Sequence, residues 1–192
     1  KKLRMSFFRI LICCMLLWIT VVCHAQPANA VLKDGWEWRQ SCSNNWRSAT
    51  VPGSIHTDLL ANKLIPDPFF GTNESTLQWI DTVDWEYRNI FSVDTEKYSR
   101  QNINLVFDGL DTYADVYLND QLILKADNMF RQWVVNIKPY LKRANNVLII
   151  RFHAAKKVTD SLAVQALPLY LPDNNRVYAR KAQFQFGWDW GP

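Results

Sequence analysis

The sequence predicts an all-β domain, a sandwich or a barrel, on two observations: short runs of alternating apolar and polar residues, and turn-forming pairs that separate them at regular intervals. From Val83 the apolar positions are Val83, Trp85 and Tyr87, with Asp84, Glu86 and Arg88 between them, the pattern of a half-buried strand. A one-residue slip at Ile90, ahead of Phe91 and Val93, predicts a bulge near Asn89. Ile103, Leu105 and Phe107 repeat the alternation up to a break at Asp108-Gly109. Val116–Leu118 and Leu122–Leu124 flank Asn119-Asp120, a pair that tolerates left-handed backbone and predicts a hairpin. Trp133–Ile137 and, after an Asn145-Asn146 turn, Val147–Phe152 complete the predicted strands.

One segment breaks the rule. Between Ser54 and Leu64, Ile55, Leu59 and either Leu60 or Leu64 recur at helical spacing, which predicts a short helix with Ser54 as N-cap, plugging one end of the domain. From Lys156 to Arg176 the periodicity disappears and Pro and Asn enter, which predicts a long excursion over the surface. There are no internal repeats and no low-complexity tract.

The first 25 residues read as a secretory signal peptide: a basic start (Lys1, Lys2, Arg4, Arg9), an uncharged, mostly apolar run from Ile10 to Val22, and the small residue Ala25. A membrane span needs about 20 apolar residues, and the polar run from His24 to Asn29 ends this one short. Lipidation of Cys23 is the variant reading, with bulky Val22 ahead of it where a small residue is expected. The sequence begins without methionine, so that either residues precede Lys1 or Met5 is the start. The expected product, residues 26–192, is exported to a periplasm, an extracellular space or a lysosome according to host, with no membrane association after cleavage.

Cleavage removes four of the 22 basic residues and none of the 18 acidic ones, which leaves the remainder formally neutral and without the basic face that recruits nucleic acid. Cys13, Cys14 and Cys23 leave too, so Cys42 has no intrachain disulfide partner and the domain must be held by core burial. The remaining length suffices for one domain with a sizeable core. Eight of the nine tryptophans lie in it, either as aromatic core or as platforms for sugar rings.

Little in the chain carries reaction chemistry. His56 and His153 stand far apart with no ligand at metal-binding spacing, so neither a metal nor a cofactor is expected. Ser54, His56 and Asp58 face different ways on a helix and read as a cap and a solvated polar face, not a catalytic triad. Of the four glutamates, Glu86 reads as a surface residue of a strand and Glu74 as a loop residue, within an Asn73-Glu74-Ser75 sequon. No pair of catalytic carboxylates is evident among them. The dense feature is the C-terminal run Phe184 to Pro192, in which Trp188 and Trp190 bracket Asp189 between Gly187 and Gly191. Indole faces pack on pyranose C–H surfaces while a carboxylate accepts from hydroxyls. The residues alone leave open whether this run touches sugar or is a core edge with Asp189 capping a turn.

Several blocks carry a family resemblance: Val51-Pro-Gly-Ser-Ile-His-Thr-Asp58, Ile65-Pro-Asp-Pro-Phe-Phe-Gly-Thr-Asn-Glu74, Gln78–Asp81, Asp84–Arg88, Phe107–Asn119 and Phe186-Gly-Trp-Asp-Trp-Gly-Pro192. By them the chain beyond the signal resembles the N-terminal sugar-binding-type, galactose-binding-like domain of the β-mannosidases in glycoside hydrolase family 2. The resemblance implies a jelly-roll β-sandwich, followed in a complete enzyme by immunoglobulin-like domains and a (β/α)8 barrel that holds both catalytic glutamates of a retaining mechanism. It implies no catalytic residue in this chain. It also implies that Asp189 accepts hydrogen bonds from a terminal mannose of an oligosaccharide, that Trp188 and Trp190 wall the pocket, and that the domain packs on its own barrel. Another class fits the same loop: a free-standing carbohydrate-binding module. A third is a structural domain of an inactive parent. A reading frame that continues into a barrel beyond Pro192 separates the enzyme from the module.

The signal reading predicts that the exported protein begins at Gln26. Intact-mass measurement finding residues 1–25 still attached, or a lipid on Cys23, contradicts it.

Overall fold

The computed structural model describes residues 29–169, 174–182 and 185; the predicted signal peptide, 1–25, lies outside them. The unit that starts at Leu32 is mostly β-sheet with a few short helices. Its strands are β1 Trp36–Gln40, β2 Arg47–Ser48, β3 Trp85–Phe91, β4 Asn104–Phe107, β5 Ala114–Leu118, β6 Gln121–Ala126, β7 Trp133–Asn136 and β8 Asn146–Phe152. Six form one antiparallel sheet in the order β2-β1-β3-β8-β5-β6, and β4 pairs with β7 in a second. The first two strands are not foreseen from the sequence, although Trp36 and Trp38 alternate with Glu37 and Arg39.

Alternation decides the faces. Trp36 and Trp38 of β1, Trp85 and Tyr87 of β3, Leu148 and Ile150 of β8, and Ala114, Val116 and Leu118 of β5 all point into one core, which Phe107 and Trp133 enter from the second sheet. The hairpin turn falls where expected, with Asn119 and Asp120 both at positive φ (51° and 67°), the geometry of the commonest two-residue hairpin. Asn119 also accepts from Val147 N–H at 3.0 Å and donates to the Tyr140 carbonyl at 2.7 Å, fixing the turn to the start of β8.

Four expectations need correction. The strand through Asn89 has no bulge: β3 pairs in unbroken register with β1 and β8, and the irregularity lies between Val116 and Tyr117. The apparent slip arises because a polar residue occupies a core position. Asn89 is buried and donates to the Asp34 carbonyl at 2.8 Å, while Ile90 faces outward and is half exposed. Second, the surface excursion begins as a helix, Ala155–Gln165. Its inward residues are Ala154 and Thr159 rather than large apolar side chains, so no stripe marks it, and Thr159 returns its hydroxyl to the helix carbonyls. Asp84 starts it by accepting from Ala154 N–H at 2.9 Å.

Third, Asp58 is not on a solvated face. The helix Ile55–Ala61 is capped by Ser54 as expected, in a capping box with Thr57, and it buries Leu59. Asp58 turns inward beside Leu59 and accepts from the Tyr87 hydroxyl at 2.8 Å and from Thr50 N–H at 2.9 Å. Burial, with the Asp58 charge beside it, pushes the Tyr87 phenol well above its ordinary value, so the hydroxyl remains a donor. Leu60 and Leu64 lie at the surface.

Fourth, Glu86 is not a surface residue. It is 1% exposed, held by Arg39 at 2.6 Å on one side and Arg151 at 2.7 Å on the other. Arg39 and Arg151 stand opposite Glu86 on the two neighbouring strands, so the outer face of the sheet buries a carboxylate by pairing it. Burial alone would raise the Glu86 carboxyl, but the hydrogen bonds from Arg151 and Arg39 outweigh it and hold the group below the ordinary carboxylate range. Because its folded value is depressed, Glu86 stabilises the fold fully above about pH 4.3, the ordinary glutamate value, and that contribution is lost as pH falls through the folded value. Replacing Glu86 by Gln is expected to cost about 2 kcal/mol at neutral pH. The variant should also show a flatter stability profile between pH 5 and 3, readable by urea melts. Equal stability and equal acid sensitivity would remove this role from Glu86.

Candidate functional site

The sequence-predicted site residues Trp188, Asp189 and Trp190 lie outside the described residues, whereas the segment leading to them, Asn174–Ala182, is described apart from its first side chains. It is stitched to two loops of the sheet domain. The Tyr113 hydroxyl donates to the Tyr178 carbonyl at 2.8 Å, and Met129 N–H donates to the Arg180 carbonyl at 3.0 Å, next to a parallel bridge between Asn128 and Arg180. Ala182 N–H points at the Met129 sulfur at 2.9 Å, and Ala179 and Ala182 are both buried. Two small buried residues three apart let the backbone lie against the sheet domain, and of the side chains between them Lys181 adds an ion pair.

Lys181 Nζ lies 2.6 Å from Asp111 Oδ2, with both side chains mostly covered, and Asp111 in turn takes the hydroxyl of buried Thr112 on its other oxygen. His56, from the plug helix, joins this neighbourhood electrostatically. Burial holds its imidazole below the ordinary value, the Lys181 charge pushes the same way, and Asp81 pulls weakly against both. His56 is thus kept neutral next to a cation, a donor and acceptor rather than a charge.

The other residues weighed from the sequence are placed as follows. Glu37 pairs with Arg88 at 2.6 Å and Glu96 with Arg100 at 3.1 Å; with Glu86 already committed, three of the four glutamates have an arginine partner. Glu74 is exposed in the first turn of a short helix, Asn73–Leu77, rather than in a loop. His153 does meet carboxylates: Nδ1 is 3.3 Å from Asp84 and Nε2 is 3.2 Å from Asp115. Those partners come from outside one strand and from within another, 69 and 38 residues away, so no spacing rule on the sequence finds them. Among the described residues no group of three His, Cys, Asp or Glu side chains is disposed to hold a metal ion. The question of the tryptophans resolves by position. Trp36, Trp38, Trp85 and Trp133 are core, whereas Trp46 lies under the guanidinium groups of Arg39 and Arg88 at 4.3 and 4.2 Å, and Trp79 is 40% exposed.

The arrangement holds a segment: two loops converge on Tyr178–Ala182 through hydrogen bonds to its backbone, a sulfur contact and an ion pair. Known proteins give it a context. Residues 36–192 match the glycosyl hydrolase 2 galactose-binding domain-like family. A β-mannosidase B from Thermothelomyces thermophilus is 37% identical over 84% of this chain, and the β-mannosidase of Bos taurus 32% identical over 84%. The solved β-D-mannosidase of Dictyoglomus thermophilum superposes with a TM-score of 0.79 at 43% identity, over 84% of this chain and 20% of that one. An exo-chitosanase from Amycolatopsis orientalis shares the fold alone, at 20% identity, a TM-score of 0.58, and coverage of 65% of this chain and 16% of that one. The chain spans about a fifth of the length of the curated relatives it matches, 20% and 19% in these two cases.

Asp111→Asn is expected to weaken the tether by about 1 kcal/mol, an ion pair intermediate between surface and buried. Amide exchange in Ala179–Ala182 should then accelerate about fivefold while exchange in β8 stays at its global rate. Uniform acceleration through both would show that the pair supports the whole domain rather than this segment.

Proposed function

The chain belongs to the glycosyl hydrolase 2 galactose-binding domain-like family, and from that membership we propose that it is the N-terminal jelly-roll domain of an exported β-mannosidase. The parent removes terminal non-reducing β-D-mannose from oligosaccharides with retention of configuration. The supporting observation is the match to a solved β-D-mannosidase over 84% of the chain at 43% identity, together with a Phe186–Pro192 run whose indoles and carboxylate suit a pyranose. Retention needs two carboxylates about 5–5.5 Å apart across the scissile bond. Glu37, Glu86 and Glu96 are occupied by arginines, which supports a parent whose barrel supplies both catalytic glutamates and whose sandwich supplies a wall of the pocket.

In this reading residues 1–25 direct export, residues 26–192 pack on the barrel, and the tether at Tyr178–Ala182 presents the loop that follows. Asp189 accepts hydrogen bonds from mannose hydroxyls, and Trp188 and Trp190 close over its apolar face. A charge-assisted acceptor of this kind contributes roughly 1.5–3 kcal/mol, more as the sugar distorts toward the transition state. Asp189→Asn in the full-length parent should therefore lower kcat/KM for an aryl β-mannoside by about one to two orders of magnitude. Its Tm should hardly move, because the amide keeps the shape and one acceptor. A clearly lowered Tm with wild-type kcat/KM would make Asp189 a turn cap and overturn the assignment.

A further inference from the structure

The core face of the six-stranded sheet is left open at one corner, where β2 is only two residues long and its last pair is Trp38 with Arg47. A groove of ≈ 310 Å³ occupies that corner, at the small end of ligand pockets. Its floor is a stack of indoles running from core to surface. Trp38 packs edge-on against Trp85 at 5.6 Å, and Trp79 tilts against Trp85 at 5.9 Å. Trp85 is itself pinned through its indole N–H to the Ile80 carbonyl at 3.0 Å, so the half-exposed face of Trp79 is held by the core behind it.

The rim is polar. Gln40, Asn45 and Arg47 line the groove, and their side chains have no hydrogen-bond or ionic partner among the described residues. The indole N–H of Trp38, only 3% exposed and also at the groove, has no acceptor among the described residues. Among the described residues Arg47 is the single charged side chain in the lining, which includes no carboxylate. A basic peptide therefore meets no countercharge, and a phosphorylated ligand meets only one cation. What the groove offers is a rigid aromatic plane ringed by two amides and a guanidinium with their hydrogen-bonding capacity unspent. A neutral pyranose matches this set: its C–H face covers an indole, and its hydroxyls both donate and accept, as amides do.

We propose that this groove binds a neutral pyranose ring, seated on Trp79 and held by Gln40, Asn45 and Arg47. It uses none of Trp188, Asp189 or Trp190 and stands whether or not the β-mannosidase reading does. The test uses the 192-residue chain with 5-fluorotryptophan, the Trp79 resonance being identified by its loss in Trp79→Phe. Titration with β-1,4-mannobiose, cellobiose and maltose in turn should shift that resonance saturably with at least one of them, at a Kd of about 1 mM. Asn45→Ala and Arg47→Ala, both at exposed positions, should each weaken binding about tenfold with the other tryptophan signals unmoved. A Trp188→Phe, Trp190→Phe double variant should keep the Trp79 shift. No saturable shift with any of the three sugars at tens of millimolar overturns the proposal. So does a shift indifferent to Asn45→Ala and Arg47→Ala, or one that disappears in the double variant.

Discussion

Glu86 sets the terms on which the rest of the sheet is built. A carboxylate 1% exposed is tolerable only with both guanidinium groups in place, and these come from strands on either side of its own. The row does not stop there: Arg151 stands opposite Asp115 on β5, and Asp115 opposite Lys125 on β6. Five strands thus contribute alternating charges along one line, Arg39, Glu86, Arg151, Asp115 and Lys125. A slip of one residue in β3 would send Glu86 into the core and Trp85 and Tyr87 into water, so the apolar face and the charged row select one register independently. A buried ion pair is weak evidence for net stability, because desolvation offsets most of the attraction; selection of register is the role that fits here.

The same central strands then serve as posts for everything that is not sheet. Tyr87, next to Glu86 on the opposite face, holds the plug helix through Asp58. Asp84, one residue ahead of β3, starts the helix Ala155–Gln165 and meets His153, which bridges onward to Asp115 of β5. The loops that grip Tyr178–Ala182 leave from the ends of β4 and β6, so their spacing is inherited from the strands beneath them. Each attachment is polar and spans a long sequence separation, and each depends on the register that the charged row selects.

That dependence also explains what could be read from the sequence. Periodicity reports which residues are apolar and how often, so the longer strands whose two faces differ in that respect were legible, the short alternation of β1 excepted, as were turns and caps whose chemistry is local, at Asn119-Asp120 and Ser54. Asn89, Asp58 and Glu86 broke the rule because each is a polar residue buried by a partner 29 to 65 positions away, which no window along the chain contains. The helix after Ala154 escaped notice for the opposite reason: it buries almost nothing apolar. The run from Phe186 to Pro192 stood out by composition, but the role proposed for it came only from a family resemblance. The groove at Trp79 was invisible because its lining is drawn from β1, β2, β3, the loop between the first two, the helix Ile55–Ala61 and the 3-10 turn Gln78–Thr82, which only the folded chain brings together.

The tether bears on how, in the proposed reading, this domain would matter to the parent's reaction. In the proposed role Asp189 must be delivered to sugar hydroxyls within hydrogen-bonding tolerance, and every freely moving residue between it and a fixed point dilutes that delivery. Loop closure entropy grows as the logarithm of loop length, so fixing the chain at Ala182 instead of at the end of β8, Phe152, saves on the order of 1.5 kcal/mol. That gain is comparable to one charge-assisted hydrogen bond, and it is obtained without any group touching the substrate. In that proposed role, the Lys181–Asp111 pair and the hydrogen bonds to the backbone at Tyr178 and Arg180 would be the means by which a register chosen in the sheet constrains where the following loop begins.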